Sequence, residues 1–574
     1  MPVGGSSAQI VHHKGLPEQE TKMNFRAVFA QLLSLGALTG SAVILKAEEL
    51  PQETALDAYI NQPDNSYKWE VISESTTDGM KQLVVNMISQ TWRTPDEVNR
   101  TEWQHWIRVA IPEELRSDTG FLMIGGGSNQ DGQMPDGPSE MIVQIARVTG
   151  TVVAELGMVP NQPLVFHGDG QERKEDDLIG YTWDQYIRTG DPTWAARNPM
   201  VKSAVKAMDT MTAVMASVSG GQRVVDKFVV AGGSKRGWTT WLTGLDERVV
   251  AIIPVVIDVV NAEPSMKHHF AAYGYWAPSV GNYVQHRIMQ RIDHPRLQEL
   301  YRLVDPWFYR HRLQIPKFIV NASGDQFFLP DSSQFYFDGL QGEKHLRYVP
   351  NADHGLSGSD AIESITAFYA LILAGKDRPK LSWTNETDGS IRVTAEAAPD
   401  EVLLWQATNP EARDFRIETL GPKYTSTVLH DQGGGVFVGS VNKPARGWTA
   451  YYIELTFDAG VDIPLKLSTG VRVIPDVLPY KGKRPDLPAH VTVTCEAPNA
   501  AAAAQLVALT TEGAVPVSRF NATHAGSRCY FNWKPEKGQL EAATGLIGFL
   551  KQRQCTAFQV QLESGPGITG LSQQ

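Results

Sequence analysis

The stretch Phe228-Val229-Val230-Ala231-Gly232-Gly233-Ser234-Lys235-Arg236-Gly237-Trp238 runs an apolar strand into small residues around one serine, and a helical pattern with Thr239, Trp241 and Leu242 begins at once. A serine on so sharp a strand-to-helix turn is pushed out above a sheet. The N–H groups that follow it lie at a helix N-terminus, where partial positive charge favours an anion. The pattern departs from G-x-S-x-G in one place, because Arg236 stands where the second glycine is usual and Gly237 follows it. The turn wants small neighbours, so Arg236 either points away from the crowded side or contributes to the site itself. Taken alone, the run also fits a glycine-rich turn that packs a helix onto a strand and leaves a serine exposed.

The rest of the chain supplies partners in a telling order. Lys317 to Asn321 is a strand ending in Ala322-Ser323-Gly324-Asp325, and the next strand, His345 to Tyr348, leads into Val349-Pro350-Asn351-Ala352-Asp353-His354. Serine, acid and histidine in that order, each in a loop after a strand, is the arrangement of α/β-hydrolases. The chemistry needs an imidazole to take and return the hydroxyl proton, and a carboxylate to fix its tautomer. Asp331 and Asp353 compete with Asp325 for the acid role, whereas His345, His268 and His269 are poorly placed as bases. A second source of oxyanion donors is Gly125-Gly126-Gly127-Ser128 after the strand Thr119 to Ile124, where glycine lets backbone N–H groups approach a bound oxygen. The same run is equally a flexible turn, and it lacks the spacing of a phosphate cradle. The reading therefore places catalysis on Ser234, Asp325 and His354, with oxyanion or substrate contacts from Lys235, Gly126, Gly127, Ser128, Arg236 and Trp276.

Outward from this stretch, apolar strands alternate with helices: Thr119 to Ile124, Thr151 to Leu156, Phe228 to Ala231, Val249 to Ile257, Lys317 to Asn321 and His345 to Tyr348. That rhythm predicts an α/β fold, a mostly parallel α/β-hydrolase-type sheet with helices on both faces, over residues 50–380. Before it, Leu56 to Ile111 reads as a helical entry followed by strands at Val71 to Met80, Leu83 to Ser89 and Trp103 to Ile111. Residues 261–309, rich in His, Tyr, Trp and Arg, break the rhythm and read as an insertion over the sheet, where a lid would sit. Their aromatics, Trp276 among them, either stack on a substrate or form the insertion's own core. Residues 381–480 carry short alternating strands that suggest a β-sandwich, and 489–570 read β-α-β-β-α-β, a small ferredoxin-like α+β module. Lys481 to Pro488 is the linker between them.

At 574 residues the chain exceeds what one core supports, so two or three domains are expected. With 42% hydrophobic and 20% charged residues it is an ordinary globular chain, which argues against disorder and against many membrane spans. A net charge of −11 leaves no basic excess for phosphates, so nucleic acid is not an expected partner. Asn24-Phe25-Arg26, an apolar run from Ala27 to Leu45 and Ala47-Glu48-Glu49 predict a leader over residues 1–47 with a secretory signal starting at Met23. An uncleaved membrane anchor is the alternative, and membrane contact is expected only in that case. Cys495, Cys529 and Cys555 allow one disulfide of undetermined pairing and do not have zinc spacing. No cofactor or metal is expected.

The stretches Gly232 to Leu242, Pro254 to Asn261, Tyr273 to Trp276, Asp305 to Tyr309, Pro316 to Ser332 and Gly342 to His354 resemble the PhoPQ-activated pathogenicity-related family, whose relatives include secreted proliferation-repressing proteins of social amoebae. The likeness runs from about Leu56 to Val477. It implies a hydrolase fold related to esterase and peptidase domains, export to the periplasm or outside the cell, an association with virulence, and a triad on Ser234, Asp325 and His354. It names no substrate beyond an ester or a peptide. The expectation is an exported serine hydrolase. The alternative is a secreted binding or signalling protein that keeps the scaffold without turnover.

Overall fold

The structure is a computed structural model that describes residues 53–130, 132–460, 463–483, 490–511, 521–533, 540–564 and 567–571. The leader and most of the linker before the last module lie outside the described residues.

β1 (Lys68–Thr77) and β2 (Met80–Thr91) form a hairpin through Asp78-Gly79, whose φ values of 50° and 70° are those of the tight turn that Asp-Gly favours. The sequence reading sets this break at Lys81-Gln82; the backbone puts it where both residues tolerate positive φ. β3 (Glu102–Pro112), β4 (Thr119–Ile124), β5 (Val153–Leu156), β6 (Lys227–Gly233), β7 (Val249–Val255), β8 (Lys317–Ala322) and β9 (Lys344–Val349) complete one sheet in the order β1-β2-β3-β5-β4-β6-β7-β8-β9. The strands up to β3 pair antiparallel, as does β3 with β5, and every pair from β5 to β9 is parallel.

Both faces of the parallel part are covered, which is why its strands read as unbroken apolar runs. Val230, Ile252 and Ile319 point to one core with the helices Glu175–Thr189, Arg197–Ala216 and Lys235–Thr243. Their neighbours Val229, Ala251 and Phe318 point to the other, against the helices Glu140–Thr149 and Ala361–Leu373. The helix Glu175–Thr189 is absent from the sequence reading. The segment after β7 folds into helices, the longest being Ala262–Tyr273 and Pro295–Val304.

Beyond the sheet come β10 (Leu381–Asn385), β11 (Ile391–Ala395), β12 (Glu401–Asn409), β13 (Thr425–Val428), β14 (Val436–Gly439), β15 (Trp448–Asp458), β16 (Pro464–Ser468) and β17 (Arg472–Ile474). They form two antiparallel sheets, β10-β11-β14 and β13-β12-β15-β16, with β17 also on β15. Val393, Phe437, Ile453 and Leu465 belong to the same core as the helix Ala361–Leu373. The last unit holds β18 (His490–Glu496), β19 (Asn521–Ala525), β20 (Arg528–Trp533), β21 (Thr556–Ser564) and β22 (Gly567–Leu571), antiparallel in the order β19-β20-β18-β21-β22. Val507, Leu546 and Leu550 of its two helices share a core with Val493 and Phe531. β22 is an addition to the six elements read from sequence. Cys495 faces Cys529 across β18 and β20, and all three cysteines are buried free thiols. Among the described residues no helix is long and apolar enough to cross a membrane.

Candidate active site

Parallel pairing decides where the chemistry collects. Ile124 of β4 lies beside Gly232 of β6, Gly233 beside Val255, and Ala322 of β8 beside Val349 of β9. The loops that leave these strands therefore open at one edge of the sheet, the edge where α/β proteins bind ligands. Ser234, the Gly125–Ser128 run, Asp325 and His354 all stand there.

Ser234 has φ 56° and ψ −123°, a strained backbone for a residue with a side chain. Its N–H donates to the Val255 carbonyl at 2.8 Å, and its own carbonyl accepts from Trp238 N–H at 3.0 Å, so both neighbouring elements hold the turn. A Cβ on Gly232 would meet the Arg236 carbonyl oxygen at 2.8 Å; one on Gly237 would meet the Gly232 and Val255 oxygens at 2.9 Å each. The displaced glycine is thus explained. A side chain at position 237 would press on the strand backbone, whereas position 236 carries its own past Gly126 to Glu175.

Arg236 takes the first of the two courses left open by the sequence. Its guanidinium crosses Gly126, donates to the Val159 carbonyl at 2.5 Å, and makes two bonds to Glu175, at 2.8 and 2.7 Å. Lys235 Nζ also pairs with Glu175 at 2.9 Å and lies 3.4 Å from Asp176. Burial raises the Glu175 pKa, but the two cations outweigh it and hold the carboxyl at about 2. Because the helix starts at Lys235, the N–H of that residue has no carbonyl one turn earlier to bond.

Asp325 Oδ2 lies 2.8 Å from His354 Nδ1, while its Oδ1 accepts from the N–H groups of Phe327 and Phe328 at 2.7 and 3.3 Å. The competing acids are engaged elsewhere. Asp331 pairs with His268 and Arg413 at 3.0 and 2.6 Å, and Asp353 accepts from Gly355 N–H within its own turn. Asp258, just past β7, is a further carboxylate that the sequence reading passed over. Tyr336 and Tyr348 donate to it at 2.7 and 2.6 Å, and burial pushes its pKa up to about 8 against those bonds.

The ring of His354 lies 4.3 Å from that of Phe327, centroid to centroid, and its Nε2 is buried with no hydrogen-bond partner among the described residues. Phe327 and Phe328 line, together with Ser234 and Lys235, a cavity of about 50 Å³. Much of its remaining wall comes from the insertion and from the unanticipated helix, with Trp183, Met266, Tyr283 and Met289 among them, and Arg197, Trp238, Ile257 and Val259 add to it. Ser128 Oγ accepts from Gln130 N–H, and Gly126 and Gly127 are exposed in their loop. Trp276 is not part of the cavity wall; it stacks on His269 at 5.6 Å and contacts Phe270, within the insertion's own core. Sequence reasoning missed Glu175, Asp176 and Arg197, which carry no local motif and are recognised only when the fold brings them to the elbow.

A mostly parallel sheet with helices on both faces, a serine elbow at the carboxyl end of a central strand, and an acid–histidine pair after the last two strands define a hydrolase-type α/β scaffold. The chain belongs to the PhoPQ-activated pathogenicity-related protein family, whose model matches residues 56–416. It is 35% identical over 456 residues to autocrine proliferation repressor protein A of Dictyostelium discoideum, covering 74% of this chain and 92% of that protein. Among solved structures it is similar to an acetyl xylan esterase from Paenibacillus sp. R4, with 14% identity, a TM-score of 0.38, and 55% of this chain and 92% of that one covered. Acetyl xylan esterase 1 from Thermoanaerobacterium sp. JW/SL YS485 is similar at 12% identity and a TM-score of 0.39, over 55% and 93%. A Pyrococcus horikoshii acylaminoacyl peptidase is similar at 13% identity and a TM-score of 0.32, over 54% and 50%.

Proposed function

We propose that this chain is an exported serine hydrolase that transfers the acyl group of an ester or amide to water. Ser234 Oγ attacks the carbonyl carbon, and its proton passes to His354 Nε2. Asp325 accepts from Nδ1–H, which leaves the Nε2 lone pair free to act as base and stabilises the imidazolium once formed. The oxyanion is held by the N–H of Lys235 and by N–H groups of the Gly126–Ser128 run. The imidazolium then protonates the leaving group, and water activated by the same ring hydrolyses the acyl-serine. The observation that carries this reading is the Asp325–His354 bond at 2.8 Å on the sheet edge where a serine sits at positive φ. The charged start, apolar run and small residues of the leader support delivery to the periplasm or outside the cell.

A fluorophosphonate probe is expected to label the folded protein at Ser234. Ser234→Ala is expected to abolish labelling and to lower hydrolysis of an ester and amide panel by roughly a thousandfold or more. Hydrolysis undiminished in that variant would remove the mechanism.

A second reading is a secreted binding or signalling protein. It draws on the absence, among the described residues, of a hydrogen bond to the unpartnered His354 Nε2, and on the proliferation-repressing name of the Dictyostelium relative. A protein that resists the probe and hydrolyses nothing in the panel would favour it. We also read the last module as ferredoxin-like, on the strength of its β-α-β-β-α-β order and the central position of β18 between β20 and β21.

A further inference from the structure

The cavity beside Ser234 is mostly apolar, and three charged side chains, Asp176, Lys235 and Arg197, enter its wall. Arg197, the first residue of the helix Arg197–Ala216, is 2% exposed and lines the same cavity as Ser234. One of its terminal nitrogens donates to the Lys235 carbonyl at 2.9 Å, its charge lies 4.6 Å from the centre of the Trp238 ring, and it contacts the Tyr283 hydroxyl. Its Nε has no partner, and among the described residues no carboxylate comes within ion-pair distance of it. Asp176 acts on it through space, but that carboxylate already accepts from Tyr283 at 3.1 Å and faces Lys235. Around the elbow three cations, Arg197, Lys235 and Arg236, face two carboxylates, Glu175 and Asp176, because the adjacent Asp177 is taken by His286 at 2.6 Å. One buried positive charge is left over at the cavity wall. A guanidinium buried without a counter-ion is an expensive arrangement unless an incoming anion completes it.

We infer that Arg197 makes this cavity a carboxylate-binding pocket, so that the preferred substrate carries an apolar arm ending in a carboxylate. The arm packs among Trp183, Trp238, Met266 and Phe327 while its carboxylate accepts from the guanidinium. This rests on the hydrolase reading for its catalytic consequence and on the cavity alone for binding. A neutral ester of the same length would fill the apolar space and leave the guanidinium unpaired, which is the kind of mismatch that sites use to reject analogues. The competing role for Arg197, a general electrostatic aid to the oxyanion, would accelerate both kinds of ester alike.

The test compares mono-p-nitrophenyl esters of succinic, glutaric, adipic and suberic acid with the neutral p-nitrophenyl ester of equal chain length. For at least one length kcat/KM is expected to favour the carboxylate-bearing ester by about tenfold or more. Arg197→Lys should keep part of that ratio and Arg197→Met should bring it to one or below, with thermal melting used to verify that each variant is folded. Equal kcat/KM at every length, or a ratio that survives in Arg197→Met, would overturn the inference and leave the hydrolase reading standing. If Arg197→Met does not fold, the wild-type ratio and Arg197→Lys decide. Calorimetric titration of the Ser234→Ala protein with monomethyl adipate and with methyl hexanoate separates binding from turnover. Tighter binding of the adipate supports the pocket even if no ester is hydrolysed, and equal or weaker binding sinks it.

Discussion

Gly237 shows how one missing methyl group can set the turn that holds Ser234. Its φ lies outside the positive range, so its need for glycine is steric: a Cβ would press on two backbone oxygens at 2.9 Å, and neither can swing aside. Gly237→Ala is therefore expected to cost about 1–3 kcal/mol, seen as a lower melting temperature, and to slow probe labelling as the helix lifts from β6. Gly126→Ala tests the contrast. There the added methyl meets the guanidinium of Arg236 at 2.6 Å, the far end of a flexible side chain, which can turn away. A smaller loss of stability is expected, with the bidentate pair to Glu175 as its main casualty. Restoring the commoner motif through Arg236→Gly should not stabilise the protein, because it leaves Glu175 with Lys235 alone. A variant more stable than the parent would show that the Arg236–Glu175 pair contributes nothing.

At the scale of elements, the strands and the order of serine, acid and histidine were legible because burial on both faces writes strands as apolar runs and because loops after parallel strands must share an edge. The sequence favours Asp325 over Asp331 and Asp353 by its place just past a strand's end, and the fold, which decides which carboxylate faces the imidazole, pairs it with His354. The helix Glu175–Thr189 was not legible. Buried residues surround it, including Trp183 and the Asp184 carboxylate that pairs with Arg188 at 2.7 Å, so no polar and apolar faces separate along its sequence. Nor does any local pattern announce that the segment between β12 and β13 braces these loops. Asn351, at φ 54° in the loop before His354, donates to the Tyr424 carbonyl at 2.9 Å and accepts from Tyr424 N–H at 2.8 Å. Ile417 N–H bonds the Gly324 carbonyl at 2.9 Å beside Asp325. Asn351→Ala removes both bonds to Tyr424 and a residue suited to positive φ, so a loss of about 1–3 kcal/mol is expected. If the brace positions the histidine, kcat should fall several-fold more than KM changes; an unchanged kcat in a destabilised protein would confine the brace to stability.

For the whole molecule, the decisive quantity is how many protons the folded chain declines or keeps. His105, His167 and His269 are buried, and burial is the main cause that lowers their pKa values from 6.5 to about 4, 3 and 3. They are spread through the molecule: His105 in β3, His269 in the insertion, and His167 against Thr523 of the last module at 3.2 Å. Between pH about 6.5 and 3 the unfolded chain binds protons at these positions that the folded chain refuses, so their stabilisation is complete above about 6.5 and is lost as pH falls. Asp258 and Asp305 work in the opposite direction. Burial raises them to about 8 and 6, so the folded chain keeps protons that the unfolded chain releases, and their contribution declines as pH rises through those values. The acid limb gains further slope from Glu175 and Glu343, both held near 2 by their cationic neighbours despite burial. The melting temperature is accordingly expected to peak near pH 6–7, to fall steeply toward pH 4 and more gently toward pH 8. His167→Gln keeps a polar partner for Thr523 but cannot be protonated, so it should flatten the acid limb. Equal acid slopes in the parent and in His167→Gln would mean that this imidazole is not held neutral at the junction with the last module.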